Sequence, residues 1–145
     1  MKEVGTILLA TDFSKTSIAA FAAARGVAER YGARIVVVHV DECCSVPLVV
    51  DYNAVAPAGL HQQQLEHAER QLDRLAAEQL AGLEVERQVA QGIAHLEIVR
   101  LAGEHDADLI VMATHGRGFI SHALMGSTTE RVLRRASCPV LVVRR

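Results

Sequence analysis

The sequence predicts a single α/β domain with a five-stranded parallel sheet in the order 3-2-1-4-5 and helices on both faces, which is a Rossmann-like fold. Three observations support this fold class. The chain has 145 residues, close to the commonest size of a single domain. Short apolar runs rich in β-branched residues alternate with longer segments of helical periodicity. Three of the runs are almost continuously apolar, which is typical of parallel strands covered on both faces.

Five segments are predicted to be strands because each is short and rich in Val, Ile or Leu. In chain order they are residues 4–10, 34–40, 83–89, 108–113 and 139–144. The third segment, with the sequence LEVERQV, alternates apolar and polar residues. We therefore place it at an edge of the sheet, with one face partly exposed to solvent.

Four segments between the strands are predicted to be helices, since apolar residues recur in them at helical spacing. They are residues 15–31, 61–80, 94–103 and 126–136. Residues 41–60 form a connection that is longer and more apolar than is usual between a strand and a helix. We expect this segment either to cover a ligand site or a subunit contact, or to be a loop with a short extra helix.

The composition excludes several classes of function. Lys and Arg total 15 against 17 for Asp and Glu, and the net charge of -2 gives no basic excess for nucleic acid. No apolar run approaches the ~20 residues of a membrane span. The first residues do not resemble a signal peptide, and Cys43, Cys44 and Cys138 make an odd number of cysteines. We therefore expect reduced thiols and a cytoplasmic protein.

A ligand site is predicted at one end of the sheet. Ligands of open parallel sheets bind beyond the carboxyl ends of the strands, where the strand order reverses. In the predicted order this reversal lies between the first and fourth strands, which end in ATDFS (from Ala10) and MATHG (from Met112). The glycine-rich stretch 113–130 begins at the same place, so we expect it to line the pocket.

The start of the fourth helix, Gly126-Ser127-Thr128-Thr129, has two interpretations. Free main-chain N–H groups at a helix start bind phosphate, and glycine lets an anion approach them closely. The three hydroxyl groups would add donors. Alternatively, Ser127 and Glu130 form a capping box, S-x-x-E, which needs no ligand.

Asp12 also has two interpretations. Its carboxylate could bind a ligand, either by accepting hydrogen bonds from a ribose or an adenine amino group or by binding a metal on phosphates. Alternatively, Asp12 or Ser14 could cap the first helix. Other motifs are missing from the sequence: it has neither a P-loop nor a G-x-S-x-G nucleophile elbow, and no histidine pair of the H-E-x-x-H type. We therefore predict no catalytic residue and no protein-bound metal, and interpret His39 as a buried structural imidazole.

The chain resembles the universal stress protein family over nearly its whole length. The resemblance rests on ILLATDFS, IVVVHVDE, GIAHLEIV, DLIVMATHGRG and GSTTERVLRRASCPVLVVRR. The nucleotide-binding branch of that family carries G-x2-G-x9-G-[ST], which stands here as Ala113-x2-Gly116-x9-Gly126-Ser127. Ala113 replaces the first glycine and adds one methyl group at a strand end. The resemblance implies the Rossmann-like fold of the adenine nucleotide alpha hydrolases.

The resemblance also implies a set of nucleotide-binding residues. Adenine and ribose would contact Ala10, Thr11, Asp12 and Val40, with Met112 and Ala113 on the sugar side. The phosphates would be flanked by His115, Gly116 and Arg117. They would be held by Gly126, Ser127, Thr128 and Thr129 through main-chain and hydroxyl groups. Mg²⁺ would bind the phosphates rather than the protein.

The function implied is that of a stress-response sensor or adaptor that binds ATP or AMP and dimerises through its C-terminal strand. Two other functions remain open. One is a slow ATPase or a self-phosphorylating enzyme, which is less well supported because no general base is paired with a nucleophile. The other is a structural dimer with an empty pocket.

Overall fold

The computed structural model describes residues 3–42, 59–114 and 125–144. Several predictions concern residues outside this part of the chain. They are the predictions for most of the connection 41–60, which includes Cys43 and Cys44, and for the phosphate-flanking residues His115, Gly116 and Arg117. None of the helices described is long and apolar enough to cross a membrane.

The sheet has the predicted strand order, β3-β2-β1-β4-β5, and all four strand pairings are parallel. The strands are β1 (Thr6–Ala10), β2 (Arg34–Asp41), β3 (Val85–Gln91), β4 (Leu109–Ala113) and β5 (Val140–Val143). The helices are α1 (Lys15–Tyr31), α2 (Leu60–Gln79), α3 (Ala94–Glu104) and α4 (Ser127–Arg135). The predicted fold class is therefore confirmed.

Both faces of the central strands are buried, which explains their continuous apolar sequences. Along β1, Ile7 and Leu9 pack on one side with Phe21 of α1 and Leu72 of α2. Their neighbours Leu8 and Ala10 pack on the other side with α3 and α4. The side chains of a strand alternate between the faces of a sheet, so each helical layer receives every second residue.

The two edge strands of the sheet differ in polarity. At one edge, β3 exposes Glu86 and Arg87 and buries Ala90, which agrees with the partly solvated edge predicted for LEVERQV. At the other edge, β5 is apolar, yet Leu141 is exposed.

The first strand begins at Thr6, two residues later than predicted. The N–H groups of Gly5 and Thr6 donate hydrogen bonds to the carboxylate of Asp108, at 2.9 and 3.1 Å. The side chain of Asp108 thus takes the place of β4 beside Gly5 and Thr6, and the pairing of β1 with β4 starts at Ile7.

Candidate functional site

A cavity of about 440 Å³ opens at the carboxyl ends of β1, β2 and β4, where the strand order reverses. Ten of the residues predicted for the site line it: Ala10, Thr11, Asp12, Val40, Met112, Ala113, Gly126, Ser127, Thr128 and Thr129. The other three, His115, Gly116 and Arg117, lie outside the described residues. The predicted topology therefore located the cavity, and Gly126 lies at its wall, while contacts with a ligand stay a prediction.

Seven further residues line the cavity and were missed by the sequence reasoning: Ser17, Val38, His39, Asp41, Glu42, Ala94 and Ile98. The end of β2 supplies three of them, Val38, His39 and Asp41, and with Val40 the whole strand end borders the cavity. The predicted strand order places β2 beside β1, and this is the signal that could have found these strand residues. His39 is a correction, since it is half-buried at the cavity wall rather than enclosed in the core.

In the turn between β1 and α1, side chains of the turn accept hydrogen bonds from main-chain N–H groups at the start of the helix. Ser14 is the N-cap, and its Oγ accepts a hydrogen bond from the N–H of Ser17 at 3.1 Å. An Oδ1 atom of Asp12 accepts from the N–H of Ser14 at 3.0 Å. Ser14 thus caps α1, and Asp12 stabilises the turn that leads to the cap.

The hydroxyl groups beneath this turn form a directed chain. Ser17 Oγ donates to the carbonyl oxygen of Ser14 at 2.8 Å, which commits its single proton. In the 2.9 Å contact between Thr11 Oγ1 and Ser17 Oγ, the proton must therefore come from Thr11. Thr11 and Ser17 consequently have no hydroxyl proton left for a ligand, and the carboxylate of Asp12 is a hydrogen-bond acceptor. This side of the cavity is rich in acceptors.

The start of α4 is tied to the end of β4. The N–H of Gly126 donates to the carbonyl oxygen of Thr114 at 2.8 Å, and Thr129 Oγ1 donates to that of Ala113 at 2.9 Å. Thr129 is only 3 % exposed. Its hydroxyl proton therefore anchors the helix, which corrects the prediction that this hydroxyl group would be a donor to phosphate.

The capping box proposed for α4 does not form. Gly126 is the N-cap, no side chain caps the helix, and Ser127 is already its first helical residue. Glu130 forms an ion pair with Arg134 at 2.9 Å instead of turning back to the helix start. Because main-chain hydrogen bonding within the helix begins at Glu130, helical geometry leaves the N–H groups of Ser127, Thr128 and Thr129 without partners inside α4. They lie at the cavity wall.

The start of α3 also borders the cavity, but a side chain of the protein already hydrogen-bonds to it. Glu42 follows β2, and its Oε1 accepts a hydrogen bond from the N–H of Ala94 at 2.9 Å. A carboxylate at this position is favoured by the helix dipole. Glu42 and Asp41 both line the cavity, so they extend the acceptor-rich side formed by Asp12.

Among the titratable groups outside the cavity, His95 and Cys138 have pKa values shifted by burial. Burial lowers the pKa of His95, with Arg131 and Arg135 adding to the effect and Glu42 opposing it. Burial raises the pKa of the Cys138 thiol, which disfavours its reactive thiolate form. The described ranges contain no group of three or more His, Cys, Asp and Glu residues able to hold a metal ion.

Comparison with known proteins places this geometry in a family. The family model described as "Universal stress protein family" matches residues 3–144. The chain belongs to the universal stress protein family. It is 37% identical over 142 residues to a universal stress protein of Thermus aquaticus, covering 96% of this chain and 98% of that one.

Solved structures of universal stress proteins have the same fold. Protein MJ0577 of Methanocaldococcus jannaschii superposes with a TM-score of 0.84 at 28% identity, covering 99% of this chain and 98% of that one. A universal stress protein in complex with cAMP superposes at 0.70 with 24% identity, covering 99% of this chain and 98% of that one. One from Archaeoglobus fulgidus in complex with dAMP superposes at 0.69 with 21% identity, covering 99% and 100%. At these lower identities the likeness concerns the fold.

Proposed function

We propose that this universal stress protein binds an adenine nucleotide, ATP or AMP, in the cavity at the carboxyl ends of β1, β2 and β4. The observation that carries the proposal is the uncapped start of α4 at the cavity wall. The N–H groups of Ser127, Thr128 and Thr129 are a binding site for an anion, and the helix dipole favours negative charge there.

The distribution of polar groups gives the nucleotide one orientation. Asp12, Asp41 and Glu42 line one side of the cavity, where their carboxylates repel phosphate and accept hydrogen bonds. The ribose hydroxyl groups and the adenine amino group are donors and suit this side. The phosphates suit the opposite side, at the start of α4.

The size of the cavity and the relatives support a nucleotide. About 440 Å³ is within the usual range of small-molecule sites, roughly 300–1,000 Å³. Two proteins of the same fold are complexes with cAMP and dAMP, so the fold accommodates adenine mononucleotides. We expect Mg²⁺ to accompany ATP through the phosphate oxygens.

The cellular role we propose is that of a dimeric, cytoplasmic sensor or adaptor in a stress response, in which nucleotide occupancy changes the choice of partner. A homodimer is supported by β5, which is an apolar edge strand with Leu141 exposed. An edge strand has unpaired main-chain groups, and pairing with its copy would satisfy them. Analytical ultracentrifugation at micromolar concentration should give a dimer, and a monomer alone would contradict this assembly.

The test of nucleotide binding starts from gently purified protein. After denaturation, mass spectrometry should detect a stoichiometric adenine nucleotide, and titration calorimetry of the stripped protein should give heat with ATP or AMP. A protein without nucleotide and without heat on ATP addition would contradict the proposal. Steady production of ADP that is abolished by Asp12→Asn would instead identify an ATPase.

A further inference from the structure

The strongest unassigned feature is the contact of His39 with the turn that carries Asp12. His39 lies on β2 beside the cavity, and its Nδ1 is 2.9 Å from the carbonyl oxygen of Thr11. A carbonyl oxygen accepts but cannot donate a hydrogen bond, so Nδ1 carries the proton. The imidazole is thereby fixed to the main chain directly before Asp12.

The same imidazole also contacts the residue directly after Asp12. The ring of Phe13 lies against His39 with 4.2 Å between the ring centroids and an angle of 32° between the ring planes. Phe13 has a φ of 64°, a left-handed conformation that is rare and unfavourable for a bulky residue. Such a conformation persists only where its surroundings hold it, and the ring of His39 is one of those surroundings.

We propose that His39 is a positioning residue for Asp12 and so sets the affinity of the site for the nucleoside part of its ligand. One imidazole holds the carbonyl group of Thr11 on one side of Asp12 and the ring of Phe13 on the other side. Asp12 itself lines the cavity. This inference rests on the proposed function, because Asp12 is there assigned to the adenine and ribose end.

The test compares two substitutions that separate the ring from the N–H group. His39→Phe keeps an aromatic ring against Phe13 but removes the donor to Thr11. His39→Asn keeps a donor near the position of Nδ1. We expect His39→Phe to weaken ATP and adenosine binding equally, by about tenfold, and His39→Asn to stay within about threefold of the original protein. If His39→Phe does not fold, His39→Leu is compared with His39→Asn instead, because both variants lack the ring and only Asn keeps a donor to Thr11; the same tenfold and threefold limits apply.

A double-mutant cycle with Asp12→Asn separates positioning from general support of the fold. If His39 acts through Asp12, the tenfold effect of His39→Phe on ATP affinity should shrink to less than about threefold in the Asp12→Asn background. Melting temperatures measured in parallel show what each change does to the fold alone.

The outcomes distinguish this inference from the proposed function. A His39→Phe protein with unchanged affinity, or an effect that stays tenfold without the Asp12 carboxylate, would overturn the positioning role while nucleotide binding stands. A protein that binds neither ATP nor adenosine before any substitution would overturn the proposed function, and the positioning role with it.

Discussion

The helices α1 and α4 begin at the same end of the sheet, after the neighbouring strands β1 and β4, yet their first turns are satisfied in different ways. At α1, the side chain of Ser14 caps the helix, and Asp12 binds the N–H of the cap residue itself. At α4, the N-cap is Gly126, which has no side chain to offer. The first turn of α1 is therefore capped by a side chain, whereas α4 presents its main-chain N–H groups to the cavity.

The start of α3 is an intermediate case, since the carboxylate of Glu42 reaches it from β2, 52 residues away in the chain. A carboxylate of the protein binds this helix start, whereas within the described residues no side chain caps α4, and Glu130 of its first turn pairs with Arg134. Under the proposed function, the negative group at the start of α4 comes from the nucleotide. Thr129 and Gly126 keep it in place through hydrogen bonds to β4.

The largest effect should come from Gly126→Val. The backbone of Gly126 (φ -61°, ψ 148°) suits any residue, so the fold should be kept while the added side chain blocks the approach of phosphate to the N–H groups. We expect ATP affinity measured by calorimetry to fall by at least about tenfold, with little change for adenosine. Gly26→Val is the matched control, because Gly26 is exposed on α1 with nothing within 4 Å of its added Cβ. Normal ATP binding by Gly126→Val would show that the phosphates lie elsewhere.

Thr129→Val should have the next largest effect. It preserves the shape of the side chain but removes the hydrogen bond from Oγ1 to Ala113, so the start of α4 loses one anchor to the sheet. We expect ATP affinity to fall by about three- to tenfold and the free energy of unfolding by about 1 kcal/mol. Thr129→Ser keeps the hydroxyl group and should restore most of the affinity. Equal losses for the two variants would argue against the anchor.

Ser14→Ala tests α1, the helix whose first turn is capped by a side chain. Removing the cap of α1 should lower the free energy of unfolding by about 1 kcal/mol. In thermal unfolding, the melting temperature should drop by a few degrees. ATP affinity should not change, because this helix start is not assigned to the ligand. A loss of ATP affinity comparable with that of Thr129→Val would remove the distinction between the two helices.

The smallest effect concerns pH and the start of α3, where His95 is buried. Its pKa is lowered in the folded protein, so the unfolded chain binds more protons as pH falls below about 6.5. The contribution of His95 to stability should therefore decrease as the pH falls from 7.5 toward 5.5. In His95→Gln, the part of this decrease due to His95 should be absent. Melting curves of both proteins at pH 7.5 and 5.5 that changed in parallel would contradict this assignment.

The elements predicted best are those whose local sequence decides them. Helix α1 has the predicted bounds, Lys15–Tyr31, because Ser14 caps one end and Gly32, with φ 68°, ends the other. The alternation of elements predicted a parallel sheet with helices on both faces, and the position of the cavity followed from the strand order assigned to that sheet. The capping-box alternative was wrong for a local reason: its spacing is present, but the helix begins at Ser127, one residue earlier than a cap at Ser127 requires, so Gly126 is the N-cap.

The features that sequence patterns could not provide are side-chain contacts with distant main-chain groups. Glu42 binds the N–H of Ala94, His39 binds the carbonyl of Thr11, and Thr129 binds that of Ala113. Each contact depends on which strand ends are neighbours and on the direction of one side chain. No local periodicity records either property, so these residues were missed or given another role.

The most direct test of the uncapped start of α4 is a titration of ¹⁵N-labelled protein with ATP, followed through the main-chain amide signals. We expect large, saturable shifts for Ser127, Thr128 and Thr129, while the first turn of α1 (Lys15, Thr16 and Ser17) changes little. Adenosine should leave the α4 signals nearly unchanged. Saturation by ATP without shifts at these three amides, or with the main shifts at the start of α1, would contradict the account.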